Sequence, residues 1–211
     1  MTRGRFITFE GGEGAGKSTQ VARLAEFLRG RGLEVVTTRE PGGSPGAEEI
    51  RRLLVEGHVA RWQGLTEALL NYAARYEHME AAILPALAAG KWVISDRFAD
   101  STLAYQGYGH RLDLDLIARL HRLVVGDFAP DLTLIFDLPV EVGLARTRSR
   151  PGVEDRYERM DESFHRRLRQ GFLDIAAAHP ERCLAIDAAA DPDTVALAVR
   201  RAVADRLGIG N

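Results

Sequence analysis

Apolar and polar positions along this chain follow two alternating rhythms. Short apolar runs at 5–10, 34–39, 92–96, 132–137 and 183–187 read as five strands. Between them, apolar residues recur at helical spacing, which predicts helices near 17–30, 46–57, 65–89, 113–125, 140–150, 160–179 and 192–207. The last is well marked, because Val195, Val199, Ala202 and Val203 form one stripe. Strands separated by helices imply an α/β fold: a five-stranded parallel sheet with helices on both faces. Ligands of such sheets bind at the carboxyl ends of the strands. The loops after residues 10, 39, 96 and 137 therefore share the functional edge.

The first of these loops carries chemistry. Residues 10–19 read EGGEGAGKST, and Gly11, Gly16, Lys17 and Ser18 fit G-x-x-x-x-G-K-[ST]. The glycines let backbone N–H groups turn inward around an anion. Gly11, Gly12, Glu13, Gly14, Ala15, Gly16, Lys17, Ser18 and Thr19 are thus the candidate nucleoside-triphosphate-binding residues. Lys17 is placed to reach the outer phosphates and the Ser18 hydroxyl to bind Mg²⁺. A strand before the loop and a helix after it complete an anion site, which predicts a P-loop NTPase-like fold.

Composition narrows the setting without changing that reading. A chain of 211 residues supports one large core, so a single domain over 1–211 is expected. The net charge of −2 gives no pointer to nucleic acid or to an anionic membrane. Cys183 is the only cysteine, which excludes an internal disulfide; its apolar neighbours predict packing, not reactivity. No apolar run approaches a membrane span and no signal peptide is evident, so a cytoplasmic enzyme is the expectation.

The acceptor side lies in the other loops. TREPGGSPG follows the second strand, rich in Pro and Gly. DRFADSTLAYQGYGH follows the third, setting Asp96 and Arg97 at a strand end, with Thr102, Tyr105 and Gln106 beyond. Arginine suits a phosphate, and aromatic and amide groups suit a planar heterocycle. Asp96 and Asp137 each end an apolar strand, and either fits a second acid near bound metal. A basic run at 146–159, with Arg146, Arg148, Arg150, Arg156 and Arg159, is broken by Pro151-Gly152. It reads as a lid, near 146–160, closing over the transferring group.

FEGGEGAGKST, TREPGGSPGAEEIR, NYAAR, DRFADSTLAYQGYG and DRYE together resemble the bacterial thymidylate kinases, almost from end to end. The resemblance implies phosphorylation of dTMP to dTDP by ATP with Mg²⁺, in a homodimer, for dTTP supply. It implies that Glu40 and Pro41 line the nucleoside pocket near Arg51, that Arg75 and Thr102 face the thymine edge, and that Arg97 holds the monophosphate. Tyr105 would lie by the sugar and Gln106 by the base. Members differ in whether the catalytic arginine sits in the P-loop or the lid. Glu13 at the variable loop position marks this chain as the lid-arginine type, with Arg148 assigned and Glu13 orienting it or holding metal-bound water. The resemblance favours Asp96, with Ser18, for the metal. One position departs: Asn71 stands where a phenylalanine usually precedes the pocket arginine by four residues. Tyr72 is no substitute, since one helical step turns a side chain by about 100°. A kinase of another nucleoside monophosphate and a GTPase-like switch are the alternatives; the switch would need an N-K-x-D segment, which the sequence lacks.

Overall fold

The computed structural model describes residues 3–148 and 156–209. Its sheet comprises β1 (Phe6–Gly11), β2 (Val35–Arg39), β3 (Trp92–Asp96), β4 (Leu132–Asp137) and β5 (Cys183–Asp187), in the order β2-β3-β1-β4-β5. All four pairings are parallel. β1 is buried throughout, β3 and β4 except for their final aspartates, which suits continuous apolar runs covered on both faces. The helices are α1 (Lys17–Arg29), α2 (Pro45–Val55), α3 (Gly64–His78), α4 (Leu84–Ala88), α5 (Ala99–Thr102), α6 (Leu114–Val124), α7 (Val140–Arg148), α8 (Glu162–Ala178) and α9 (Pro192–Leu207).

Period-two alternation sorts the strand residues between faces. Ile7, Phe9, Leu134 and Phe136 pack with Leu24 and Leu28 of α1 and with Val195, Val199 and Val203 of α9. Phe6 and Val93 meet Tyr72, Met79, Ile83 and Phe98 on the other face. Farther along that face, Ile135 and Cys183 meet Phe164, Leu168 and Phe172 of α8. Burial pushes the Cys183 thiol up to about 12, so it packs as expected. The chain adds β3 and β2 on one side of β1, then β4 and β5 on the other. The reversal opens a crevice at the carboxyl end of β1, where the Gly-rich loop lies.

Two segments differ from the sequence expectation. The single helix expected over 65–89 is α3 and α4 joined by a π-helical turn, Met79–Ile83. Pro85 lies at the start of α4, and its ring and missing N–H disfavour a regular ladder to the turn before it. The loop expected after β3 is largely helical: α5 runs into a π-helical stretch, Leu103–Gly109. Its glycines are packing sites. A Cβ on Gly107 would stand 2.7 Å from Leu114 Cδ2, and one on Gly109 2.6 Å from the Phe164 ring.

α7 approaches the Gly-rich loop backbone to backbone. A Cβ on Gly14, whose φ is +69°, would stand 2.2 Å from the Gly143 carbonyl oxygen. A Cβ on Gly143 would stand 2.5 Å from the Glu13 carbonyl oxygen. Gly143→Ala should therefore overpack this contact and destabilise the protein by about 1–3 kcal/mol, read by urea denaturation. A change within about 0.5 kcal/mol would show that the two segments separate freely.

Candidate active site

A cleft of about 280 Å³ opens at the carboxyl edge of the sheet. Its wall includes Glu13, Gly14, Ala15, Gly16, Lys17, Ser18 and Thr19 from the Gly-rich loop and the start of α1. Glu40, Pro41, Arg51, Asn71, Arg75, Asp96, Arg97, Thr102, Tyr105 and Gln106 form the rest, with Arg39, Val55, Phe98, Ser101, Thr147, Tyr157 and Glu158. Residues from five separate sequence stretches thus converge on one space. Gly11 and Gly12 do not line it; their carbonyls lie behind the loop and accept hydrogen bonds from Lys17 Nζ at 3.1 and 2.8 Å.

The loop side is cationic and buried. Gly16 has φ +82°, a conformation that glycine adopts without strain, and leads directly into α1. The free N–H groups of that helix start favour an anion. Burial, then the Arg97 charge, lowers the Lys17 amine to about 8, even though Asp96, Glu13 and Glu10 stand near it. An incoming polyanion reverses that penalty. Ser18 Oγ donates to Asp96 Oδ2 at 2.6 Å, so a hydroxyl and a carboxylate meet at the cleft. Asp137 is engaged elsewhere: Arg169 donates to both its oxygens, at 2.7 and 2.9 Å.

Beside the Gly-rich loop, Arg97 is held from several sides. Its Nη1 donates to the Gly11 carbonyl at 2.8 Å and to Ser101 Oγ at 3.3 Å, and its Nη2 to Glu13 Oε1 at 3.1 Å. Tyr105 donates its hydroxyl to that same Glu13 oxygen at 2.5 Å, and the guanidinium lies 4.9 Å over the Tyr105 ring. Burial opposes the charge of Arg97, but Tyr105, Glu13 and Asp96 raise its pKa above the usual arginine range. Burial likewise opposes the Glu13 charge, and Arg97 and Lys17 outweigh it, so Glu13 stays ionised. Glu13 is therefore engaged with Arg97 and Tyr105.

Arg75 is buried on α3. Its Nε donates to Glu40 Oε2 at 2.8 Å, and its Nη2 to the Phe98 carbonyl and to Thr102 Oγ1, both at 3.0 Å. Its Nη1 is buried with no partner among the described residues, the condition expected of a donor awaiting a ligand. Glu40 is also bonded by His78 Nδ1 at 3.0 Å, so it orients Arg75 from within the protein. Arg51 donates to the Pro41 carbonyl at 2.6 Å, and Gln106 Nε2 to Glu67 Oε2 at 3.1 Å. Asn71 reaches the cleft while its Nδ2 donates to the Glu67 carbonyl at 2.9 Å. Tyr72 turns into the core, as the helical rotation requires.

The basic run divides. Arg148 is exposed at the last turn of α7 and does not line the cleft. Arg146 Nη1 donates to the Ala188 carbonyl at 3.2 Å. Arg150 and the Pro151-Gly152 break lie outside the described residues. Arg156 is fully buried, donating to the carbonyls of Leu54, His58 and Val59 and pairing with Glu67. It pins the following segment to α2 and α3, and so is no part of a solvated cationic face.

The thymidylate kinase family model matches residues 9–198. The chain belongs to the thymidylate kinase family. It is 56% identical to a thymidylate kinase of Caulobacter vibrioides over 99% of this chain and all of that protein. It is 53% identical to one from a Bradyrhizobium species, over 97% of this chain and 92% of that protein. A crystal structure of thymidylate kinase from Ehrlichia chaffeensis superposes with a TM-score of 0.78 at 40% identity, covering 95% of this chain and 98% of that one.

Two residues, one lining the cleft and one behind it, escape sequence reasoning. Tyr157 brings an aromatic ring to the pocket beside Asn71, edge-on to Tyr105 at 5.3 Å. Its lining role is invisible in a charge run. Glu10, fully buried, accepts from the Phe98 amide at 2.7 Å and from Ser101 Oγ at 2.5 Å. Burial, then the nearby Asp100 carboxylate, pushes its pKa from 4.5 up to about 8. The folded state thus keeps a proton that the unfolded chain has lost. Stability from this group is fully present below about 4.5 and is lost as pH rises through about 8. Denaturation at pH 5 to 8 should show stability falling with pH in the wild type, and a flatter profile in Glu10→Gln. An unchanged slope in the variant would assign the dependence to another group.

Proposed function

We propose that the cleft transfers the γ-phosphoryl group of ATP to dTMP, giving dTDP and ADP for dTTP supply. The observation that carries this reading is a single cleft lined by cationic groups from separate elements. Lys17 and Arg97 both stand against the Gly-rich loop, each donating to the Gly11 carbonyl, and Arg75, whose Nη1 has no partner among the described residues, lines the cleft from α3. Such a lining suits two phosphorylated substrates, and membership of the thymidylate kinase family names them.

The acceptor is a phosphate monoester with a second pKa of about 6, mostly dianionic near neutrality and already nucleophilic. No general base is needed. Catalysis is positioning and charge neutralisation of an in-line transfer. Lys17 takes the outer phosphates of ATP; Arg97 offsets repulsion between the two anions. Thr102, Arg75 and Gln106 face the base, with Glu40 and Pro41 shaping the nucleoside wall, Arg51 beside it, and Tyr105 against the sugar. Tyr157 supplies the aromatic surface that Asn71 does not. The Ser18 hydroxyl and the Asp96 carboxylate are hard oxygen donors of the kind Mg²⁺ takes in small number beside phosphates. Mg²⁺, when bound, neutralises charge on the transferring phosphates, and Asp96 acts through water. Arg148, on α7 at the edge of the lid, closes toward the transferred group.

Exposed Leu53, Leu65, Leu69, Tyr76 and Leu123 lie on α2, α3 and α6, and they support a homodimer through that face. Among the described residues no helix is long and apolar enough to cross a membrane, in keeping with a cytoplasmic setting.

The test is a coupled ADP-release assay across a panel of nucleoside monophosphates. dTMP should be preferred, and Lys17→Ala should abolish turnover while leaving the thermal melt near wild type. Equal turnover of several monophosphates, or near-native activity in Lys17→Ala, contradicts the reading. Arg148→Ala should lower kcat by roughly 10²–10³-fold with little change in either KM, because it acts on transition-state charge. If Arg146→Ala or Arg150→Ala shows that pattern instead, the role belongs to a different lid arginine.

A further inference from the structure

Arg97 has φ +75°, a left-handed conformation that a residue with a side chain adopts at a cost. Such a conformation persists only where its surroundings over-determine it. Here each backbone group around it is held. Arg97 N–H donates to the Phe9 carbonyl at 2.9 Å, and the Arg97 carbonyl accepts from Ser95 Oγ at 2.7 Å. The next amide, Phe98 N–H, donates to Glu10 Oε1 at 2.7 Å. The second Glu10 oxygen accepts from Ser101 Oγ at 2.5 Å, and that hydroxyl stands 3.3 Å from Arg97 Nη1. One carboxyl group, from the end of β1, thus grips the loop just after the strained residue and again one turn later. The chain entering α5 has no side-chain cap of its own, and Glu10 reaches across from the sheet to take that amide.

We infer that Glu10 is a positioning residue for the acceptor phosphate: its two hydrogen bonds, to Phe98 N–H and Ser101 Oγ, lock the left-handed Arg97 so that its guanidinium faces the cleft. This rests on the reading of Arg97 as the acceptor-phosphate group. Glu10 is fully buried and does not line the cleft, so it acts through Arg97 and not on substrate. The neighbouring Asp100 carboxylate is bound by Arg182 at 2.7 and 2.9 Å and leaves the clamp to Glu10.

Steady-state constants for both substrates test this in four variants. Glu10→Ala should raise KM for dTMP about tenfold or more while KM for ATP stays within about twofold. Glu10→Gln should recover most of the loss. Its amide oxygen still accepts from Phe98 N–H and its amino group donates to Ser101 Oγ. Ser101→Ala should raise KM for dTMP to an intermediate level, and it carries the test if Glu10→Ala does not fold. Parallel changes in both constants, no change for dTMP in Ser101→Ala, or a Gln variant as damaged as Ala would overturn the clamp. Arg97→Ala is the reference. If it fails to separate dTMP from ATP, the acceptor-site reading itself falls; if it separates them and Glu10→Ala does not, only the clamp is lost.

Discussion

The site depends on keeping a guanidinium charged, buried and aimed while no anion is bound. In the proposed reaction Arg97 stands where the two polyanions meet, and burial disfavours its charge. Glu13 and the Tyr105 ring hold that charge in place, and the Gly11 carbonyl fixes one edge of the guanidinium. The two acids of the EGGEGAGKST stretch then have distinct tasks. Glu13 pairs with the cation itself, while Glu10 holds the backbone that bears it. Neither acid competes with phosphate for the loop amides. The same logic operates at Arg75, where Glu40 and Thr102 fix three of the fork's directions with the Phe98 carbonyl and leave Nη1 open. Preorganisation of this kind places the reorganisation cost in folding and not in binding.

The strands were legible because β1, β3 and β4 are covered on both faces, so most of their residues are apolar; of the polar ones, Thr8 and Thr133 bond each other at 2.8 Å, and Glu10, Asp96 and Asp137 lie toward the carboxyl edge. The Gly-rich loop was legible because its spacing is dictated by phosphate geometry. The acceptor helix was not. Gly107 and Gly109 signal a turn in a sequence window, and only their distant partners, Leu114 and Phe164, explain them as close packing. The basic run at 146–159 misleads for a related reason. Its arginines look alike in sequence, yet Arg156 is buried against Glu67 and three carbonyls, whereas Arg148 is exposed. Charge patterns report composition, and burial is decided by elements far away in the chain. Glu10 shows the same limit, since the amide it holds is 88 residues away.

The donor and acceptor halves are also mechanically joined. Glycine-to-glycine contact ties α7 to the loop at Gly14 and Gly143, and Arg156 ties the segment beyond residue 155 to α2 and α3.

The central claim is that Arg97 reads the acceptor's phosphate and not its nucleoside. Calorimetric titration of dTMP and of thymidine, each without ATP, into the wild type and Arg97→Ala isolates that contribution. dTMP should bind the wild type far more tightly than thymidine, the ratio should collapse by about 10–150-fold in Arg97→Ala, and thymidine binding should be almost unchanged. A dTMP-to-thymidine ratio that survives the substitution would contradict it.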